Sequence, residues 1–222
     1  LHSGLADAVV TAPVAKEHLQ AIGFPYPGQT EFFTERLQAD NTAMCLSGDH
    51  LTVVLVTAHV ALAEVPQRLS TAEIVRCARL LETFLRQRGK VFPRIAICGL
   101  NPHAGEQGAF GDEEIRIIHP AVQILQTKAN QALFTGPHVP DAVFRACLAD
   151  KYDGVVCMYH DQGLIPLKLI DFDNAVNITL GLPRPRVSPD HGTAFDIAGK
   201  NLANPSSMIA ALKMAADLTR KR

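Results

Sequence analysis

The 222-residue sequence predicts an α/β fold built on a parallel, doubly wound sheet, and three observations carry that prediction. Short β-branched apolar runs recur, at Thr52-Val53-Val54-Leu55-Val56-Thr57-Ala58, at Ile95 to Leu100 and at Gly154 to Tyr159, and such runs read as buried parallel strands. Stretches of helical periodicity separate them, and strands alternating with helices argue for βαβ units. A histidine follows each run, His59, His103 and His160, at the strand ends where open α/β sheets bind ligands.

The elements follow in order. Ala8-Val9-Val10-Thr11 reads as a strand, and a short helix around Ala15 to Ala21 is ended by Gly23. Pro25, Pro27 and Gly28 make a loop before Thr30-Glu31-Phe32-Phe33, which opens a helix; the strand ending at His59 comes next. Ser70-Thr71-Ala72-Glu73 is a capping box, and Ile74, Cys77, Ala78, Leu81, Phe84 and Leu85 form one apolar stripe behind it. Gly89 stops that helix at a C′ position. After the strand preceding His103 comes a loop with Gly105, Gly108 and Gly111. Asp112-Glu113-Glu114 then opens a helix, acidic residues suiting its N-terminal dipole. Asp141 begins the helix leading to the strand before His160. Asn204-Pro205 marks the start of a last helix, with Met208, Ile209, Leu212 and Ala215 expected on its buried side.

Composition excludes several classes of function. The net charge of −1, without a basic cluster, argues against nucleic acid as a partner. No apolar run approaches the roughly 20 residues of a membrane helix, and no signal peptide is visible. The five cysteines, Cys45, Cys77, Cys98, Cys147 and Cys157, are scattered and sit mostly inside apolar patterns. They read as reduced core residues of a cytoplasmic protein. There is no internal repeat and no low-complexity segment. The chain opens almost at once on a strand-like run without an initiator Met, so a further upstream part is expected.

Four groups of residues carry chemistry. Three neutral imidazoles at strand ends, His59, His103 and His160, suit a metal ion that keeps an open position; the alternative for each is capping or hydrogen bonding. Around His103, glycines 105, 108 and 111 either cradle an anion at the acidic helix start or form a permissive loop; there is no GxGxxG or Walker pattern. In Tyr159-His160-Asp161-Gln162-Gly163, Asp161 can orient an imidazole, act as a general base or cap a helix. Lys168, Asn177 and Arg186 can jointly hold a phosphate or carboxylate, Arg186 bidentately, although each alone reads as solvated surface.

The segment from Asp190-His191-Gly192-Thr193-Ala194-Phe195-Asp196-Ile197-Ala198-Gly199-Lys200 to Ala203-Asn204-Pro205 resembles the adenine-side cofactor loop of the isocitrate and isopropylmalate dehydrogenases, whose signature is HGxAxDIAGKxxANP. Together with Pro27-Gly28-Gln29-Thr30-Glu31-Phe32, the turn Asn101 to Glu106, Tyr159 to Gly163 and Asn177 to Pro183, it resembles the 4-hydroxythreonine-4-phosphate dehydrogenase family over essentially the whole chain. That resemblance implies the isocitrate/isopropylmalate dehydrogenase-like fold, two α/β/α domains with a cleft between them. Residues 24–176 would form the central domain, and residues 1–23 and 177–222 part of the second. It implies NAD or NADP as cofactor, held by His191, Gly192, Thr193, Ala194, Asp196 and Asn204. One divalent ion (zinc, magnesium or cobalt) would be held by His59, His103 and His160 at the interface of a homodimer. Substrate contacts fall on Gln29, Thr30, Lys168, Asn177 and Arg186. The catalytic candidates are Asp161, Asp141, which matches an acidic position near the family's active site, and Lys168.

The implied reaction is oxidation of a phosphorylated hydroxy-amino acid, 4-phosphooxy-L-threonine, at C3, followed by decarboxylation, in vitamin B6 biosynthesis. Many family members have His where this chain has Gln29, and the family carries further residues ahead of the point where this chain begins. The alternatives are a sibling acting on threonate or erythronate 4-phosphate, and an inactive fragment that binds metal and dimerises.

Overall fold

The computed structural model of the chain describes residues 1, 4–127 and 131–220. Eight strands form one sheet: β1 (Val9–Val10), β2 (Ala43–Ser47), β3 (Thr52–Leu55), β4 (Arg94–Cys98), β5 (Leu133–His138), β6 (Gly154–Cys157), β7 (Val176–Leu180) and β8 (Arg186–Pro189), in the order β1-β8-β7-β2-β3-β6-β4-β5. Helices α1 (Lys16–Ala21), α2 (Gln29–Arg36), α3 (Val65–Arg68), α4 (Thr71–Gln87), α5 (His119–Thr127), α6 (Pro140–Leu148), α7 (His160–Asp171) and α8 (Ser206–Arg220) complete the fold. One sheet face packs on α4, α5 and α8 through Ile74, Leu81, Ile97, Phe134 and Val156. The other packs on α6 and α7 through Leu46, Val53, Cys98, Phe144 and Leu167. All five cysteines are free and buried, and no described helix is long and apolar enough to cross a membrane.

The sheet is mixed rather than wholly parallel. β3, β6 and β4 run parallel, as the apolar runs predict, and β5 joins them in parallel beside β4. β2 instead lies antiparallel between β3 and β7, and β7 is antiparallel to β8. The cause is connection length. Gly48 N–H donates to the Leu51 carbonyl at 2.8 Å, closing a hairpin, and a connection that short can join only antiparallel neighbours. The sequence reading also overlooked β2 and β5 as strands.

Helix α4 forms as its capping box predicts. Ser70 Oγ accepts from Glu73 N–H at 3.2 Å, and Gly89 follows the helix at φ 91°. Helix α8 is rotated from the expected face. Its buried residues are Ser207, Ala211, Met214, Ala215 and Leu218, whereas Ile209 and Leu212 are exposed. A polar anchor sets that rotation: Ser207 Oγ donates to the Ala175 carbonyl at 3.1 Å and accepts from Asp190 N–H at 3.2 Å. The helical segment opened by the acidic residues begins as a widened π turn over Glu114–Ile118 and becomes α-helical at His119. Pro120 has no N–H to give to the carbonyl of Arg116, so the ladder shifts there.

Candidate active site

The parallel strands bring their C-terminal ends to one edge. Val56 N–H donates to the Cys157 carbonyl at 2.9 Å, and Thr57 donates to the Met158 carbonyl through both N–H (3.2 Å) and Oγ1 (2.8 Å). These bonds extend the β3–β6 pairing beyond the strands and place the His59 and His160 rings 5.7 Å apart. His160 is the first residue of α7, and its Nδ1 lies 2.6 Å from Asp161 Oδ1, which leaves Nε2 directed elsewhere. A carboxylate on one ring nitrogen fixes the tautomer and raises the basicity of the other. His59 is held below its ordinary pKa, first by burial, then by Lys16 and His160, and is therefore a neutral donor near pH 7. The pair opens onto a cavity of about 260 Å³ shared with Tyr159, Leu62 and Val65.

His103 does not join this pair within one chain. Among the described residues no three His, Cys, Asp or Glu side chains converge as a metal set. The segment Pro102–Gly108 turns left-handed, with positive φ at five consecutive residues from His103 to Gln107, a conformation costing a residue with a Cβ roughly 1–2 kcal/mol. His103 stacks instead on Phe110, the ring centroids 6.0 Å apart. Asp141 lies exposed in the first turn of α6, which packs against this same turn.

The anion-binding candidates occupy adjoining elements. Arg186 is 5% exposed; its Nη2 donates to Thr11 Oγ1 (2.9 Å) and Gln29 Oε1 (3.0 Å), and its Nη1 to Thr179 Oγ1 (3.4 Å). Its Nε is buried and has no partner among the described residues. Burial lowers its pKa, opposed by the charge of Glu31. Gln29 is committed at both ends, since its Nε2 donates to the Ala12 carbonyl at 3.2 Å. Asn177 faces Ser188 across the β7–β8 pair, and Thr30 stands in the first turn of α2. Lys168 lies 3.2 Å from Asp190 Oδ2, close enough for an ion pair although not aligned as a hydrogen bond. Burial raises the pKa of Asp190, against the pull of Lys168, His160 and His191.

The His191–Asn204 loop follows β8 directly. A cavity of about 410 Å³ is lined by Phe172, Asp190, His191, Gly192, Ala194 and Asn204, whose Nδ2 donates to Asp173 Oδ1 at 3.1 Å. Thr193 lies in the same loop, and Asp196 is exposed in a short turn, Phe195–Ile197. Asp190 belongs to this cavity while feeling the charge of His160, so the loop and the histidine pair are neighbours.

Sequence reasoning missed Glu31, whose charge reaches both Arg186 and His59, and Asp190. Both sit inside motifs it had singled out. It also missed Gln162, buried within YHDQG, which accepts from Met158 N–H (2.7 Å) and donates to the Gly99 carbonyl (2.8 Å), tying the ends of β6 and β4 together.

The structure defines an α/β protein with an isocitrate dehydrogenase-like fold. The isocitrate dehydrogenase of Methylococcus capsulatus shares its fold, with 15% identity and a TM-score of 0.55, over 96% of this chain and 70% of that one. The chain belongs to the family of the pyridoxal phosphate biosynthetic protein PdxA, whose family model matches residues 1–215. It is 49% identical over 217 residues to the 4-hydroxythreonine-4-phosphate dehydrogenase of Geobacter metallireducens, covering 98% of this chain and 63% of that protein. The crystal structure of the enzyme of that name from Klebsiella pneumoniae superposes with a TM-score of 0.88 at 45% identity, over 98% of this chain and 66% of that one. A terephthalate 1,2-cis-dihydrodiol dehydrogenase from Burkholderia xenovorans LB400 is 30% identical, with a TM-score of 0.75, over 97% and 68%. The chain thus spans about 63% of the length of the Geobacter relative.

Proposed function

We propose that this chain works in the NAD(P)-dependent oxidation of 4-phosphooxy-L-threonine at C3, with decarboxylation to 3-amino-2-oxopropyl phosphate, as an oxidoreductase of pyridoxal phosphate biosynthesis in the cytoplasm. The observation that carries the reading is the His59–His160 pair, His160 oriented by Asp161 and neighboured by Asp190 and Lys168. Two imidazoles so placed fit a divalent ion, and nitrogen donors favour zinc or cobalt over magnesium. The third donor in this reading is His103 from a second copy of the chain, which makes the site a property of a homodimer. A bound divalent ion lowers the pKa of the hydroxyl it contacts, and a nicotinamide supplies the two-electron acceptor.

The chain's own residues do the rest. Arg186, with its unpartnered Nε, joins Thr30, Lys168 and Asn177 in gripping the phosphate and carboxylate. Gln29 acts chiefly by holding Arg186. Asp161 keeps the tautomer of His160, which leaves Lys168 and Asp141 as candidates for moving the proton of the C3 hydroxyl. His191, Gly192, Thr193, Ala194, Asp196 and Asn204 would line the adenosine. A division of the chain at 23/24 and 176/177 into two domains goes with this reading.

A second reading is favoured by Gln29 itself. A neutral amide spent on Arg186 and a backbone carbonyl does not select for a charged amino group, so a phosphorylated four-carbon sugar acid is the competing substrate. Steady-state NAD(P) reduction by the full-length protein, with each substrate and with zinc or a chelator, tests both. Metal-dependent turnover of 4-phosphooxy-L-threonine is expected. Turnover of threonate 4-phosphate alone would select the second reading, and metal binding without turnover of either would overturn both.

A further inference from the structure

The turn that carries His103 is anchored by a buried carboxylate that the proposed reaction does not use. Glu114 is 2% exposed. Its Oε1 accepts from the backbone N–H groups of Leu100 (2.6 Å) and Asn101 (2.8 Å), and its Oε2 from Asn101 Nδ2 (2.9 Å), which also donates to Glu113 Oε2 at 2.7 Å. Among the described residues no cation pairs with it. A charge buried without a counter-ion is costly and persists only where hydrogen bonds compensate it. Here those bonds seize two consecutive N–H groups immediately ahead of the left-handed turn. The glycines show how closely the turn wraps the carboxylate. A Cβ on Gly99 would stand 3.0 Å from Glu114 Oε1, and one on Gly105 2.6 Å from Oε2.

We propose that Glu114 is the positioning residue for His103: its carboxylate clamps the start of the left-handed turn, so that the imidazole is delivered in one fixed place to the metal site. This rests on the reading of His103 as a metal ligand, and the experiment separates the two. Zinc affinity of the metal-free protein is measured by competition with a chromophoric chelator for wild type, His103→Ala, Glu114→Gln and Gly105→Ala, alongside thermal melts and long-range 1H–15N spectra of the histidine rings. Glutamine keeps the size and one acceptor but loses the charge and the Oε2 acceptor. Alanine at 105 sets a Cβ 2.6 Å from Glu114 Oε2 and 2.9 Å from the Gly111 carbonyl at a φ of 78°, so it disturbs the turn and the carboxylate together without changing the charge, and Glu114→Gln is the variant that isolates the carboxylate.

Loss of zinc affinity by about tenfold or more in all three variants is expected, the scale seen when groups supporting a ligand are removed. In Glu114→Gln the ring signals of His103 should move while those of His59 and His160 stay. Wild-type zinc affinity in Glu114→Gln and Gly105→Ala, with His103→Ala impaired, overturns the positioning role and leaves the metal reading standing. Wild-type affinity in His103→Ala sinks both. Where Glu114→Gln does not fold, Asn101→Ser, which withdraws the amide between the two glutamates, takes its place under the same criteria.

Discussion

Arg186 shows a buried side chain fixed in place by its neighbours. Three hydroxyl or amide oxygens fix its fork, yet its Nε stays buried and has no partner among the described residues. Arg186→Lys keeps the charge but loses the fork. Inorganic phosphate, titrated calorimetrically, should bind severalfold more weakly or worse; unchanged binding would remove Arg186 from the anion site. His59 supplies a pH expectation. Its pKa is lowered, chiefly by burial, so below the ordinary 6.5 the unfolded chain takes up protons more readily than the folded one. Stability from this site is therefore lost as pH falls through 6.5 and beneath it. An NMR titration should place the His59 midpoint below 6.5, and His160→Ala should move it upward, because the His160 charge is one of the causes. Both residues were legible in the sequence as chemistry. The threonine hydrogen-bond partners of Arg186, Thr11 and Thr179, were not, since they lie 175 and 7 residues away from it.

Helix starts and stops are where local sequence speaks most directly. Ser70→Ala removes the acceptor for Glu73 N–H and should cost about 1 kcal/mol, lowering Tm by roughly 2–4 °C for a chain of this size; an unchanged melt would mean the cap bond contributes nothing. The apolar stripe of α4 was readable for the same reason: an amphipathic period needs no knowledge of the partner. Helix α8 was not readable at this level. Ile209 and Leu212 satisfy the apolar pattern equally well, and the choice fell to Ser207, whose bonds to Ala175 and Asp190 exist only after the sheet has formed. The left-handed turn at His103 was equally hidden. Its glycines advertise freedom, but the carboxylate that uses it lies 15 and 9 residues further along from Gly99 and Gly105.

At the scale of the whole molecule, Asp153 pins the starts of two neighbouring strands. It accepts from Lys90 Nζ (2.8 Å) and from Arg94 N–H, Nε and Nη2 (2.8, 3.0 and 3.0 Å). Burial pushes its pKa up, but the bonds from Arg94 and Lys90 outweigh burial and hold it at about 2. A depressed carboxylate contributes stability above its unfolded pKa near 3.9 and loses it as pH falls through the folded value. Because Lys90 and Arg94 are partly exposed, the contribution is on the order of 1–2 kcal/mol after screening. Urea unfolding should show Asp153→Asn less stable than wild type at pH 6, with the gap closing between about pH 4 and pH 2. A gap independent of pH would assign the loss to packing.

What this sequence determined by itself is the α/β class, the parallel core of β3, β6 and β4, the capped helix α4 and the histidines at the strand ends. Each depends on a local pattern, apolar period or capping residue, that acts before any distant contact forms. Only the tertiary structure decided the antiparallel insertion of β2, the rotation of α8, the pairing of His59 with His160 but not His103, and the burial of Arg186 and Glu114. Those outcomes depend on which strands become neighbours and where a polar group finds its partner across the fold. Such partners are set by three-dimensional proximity and carry no signal in sequence spacing.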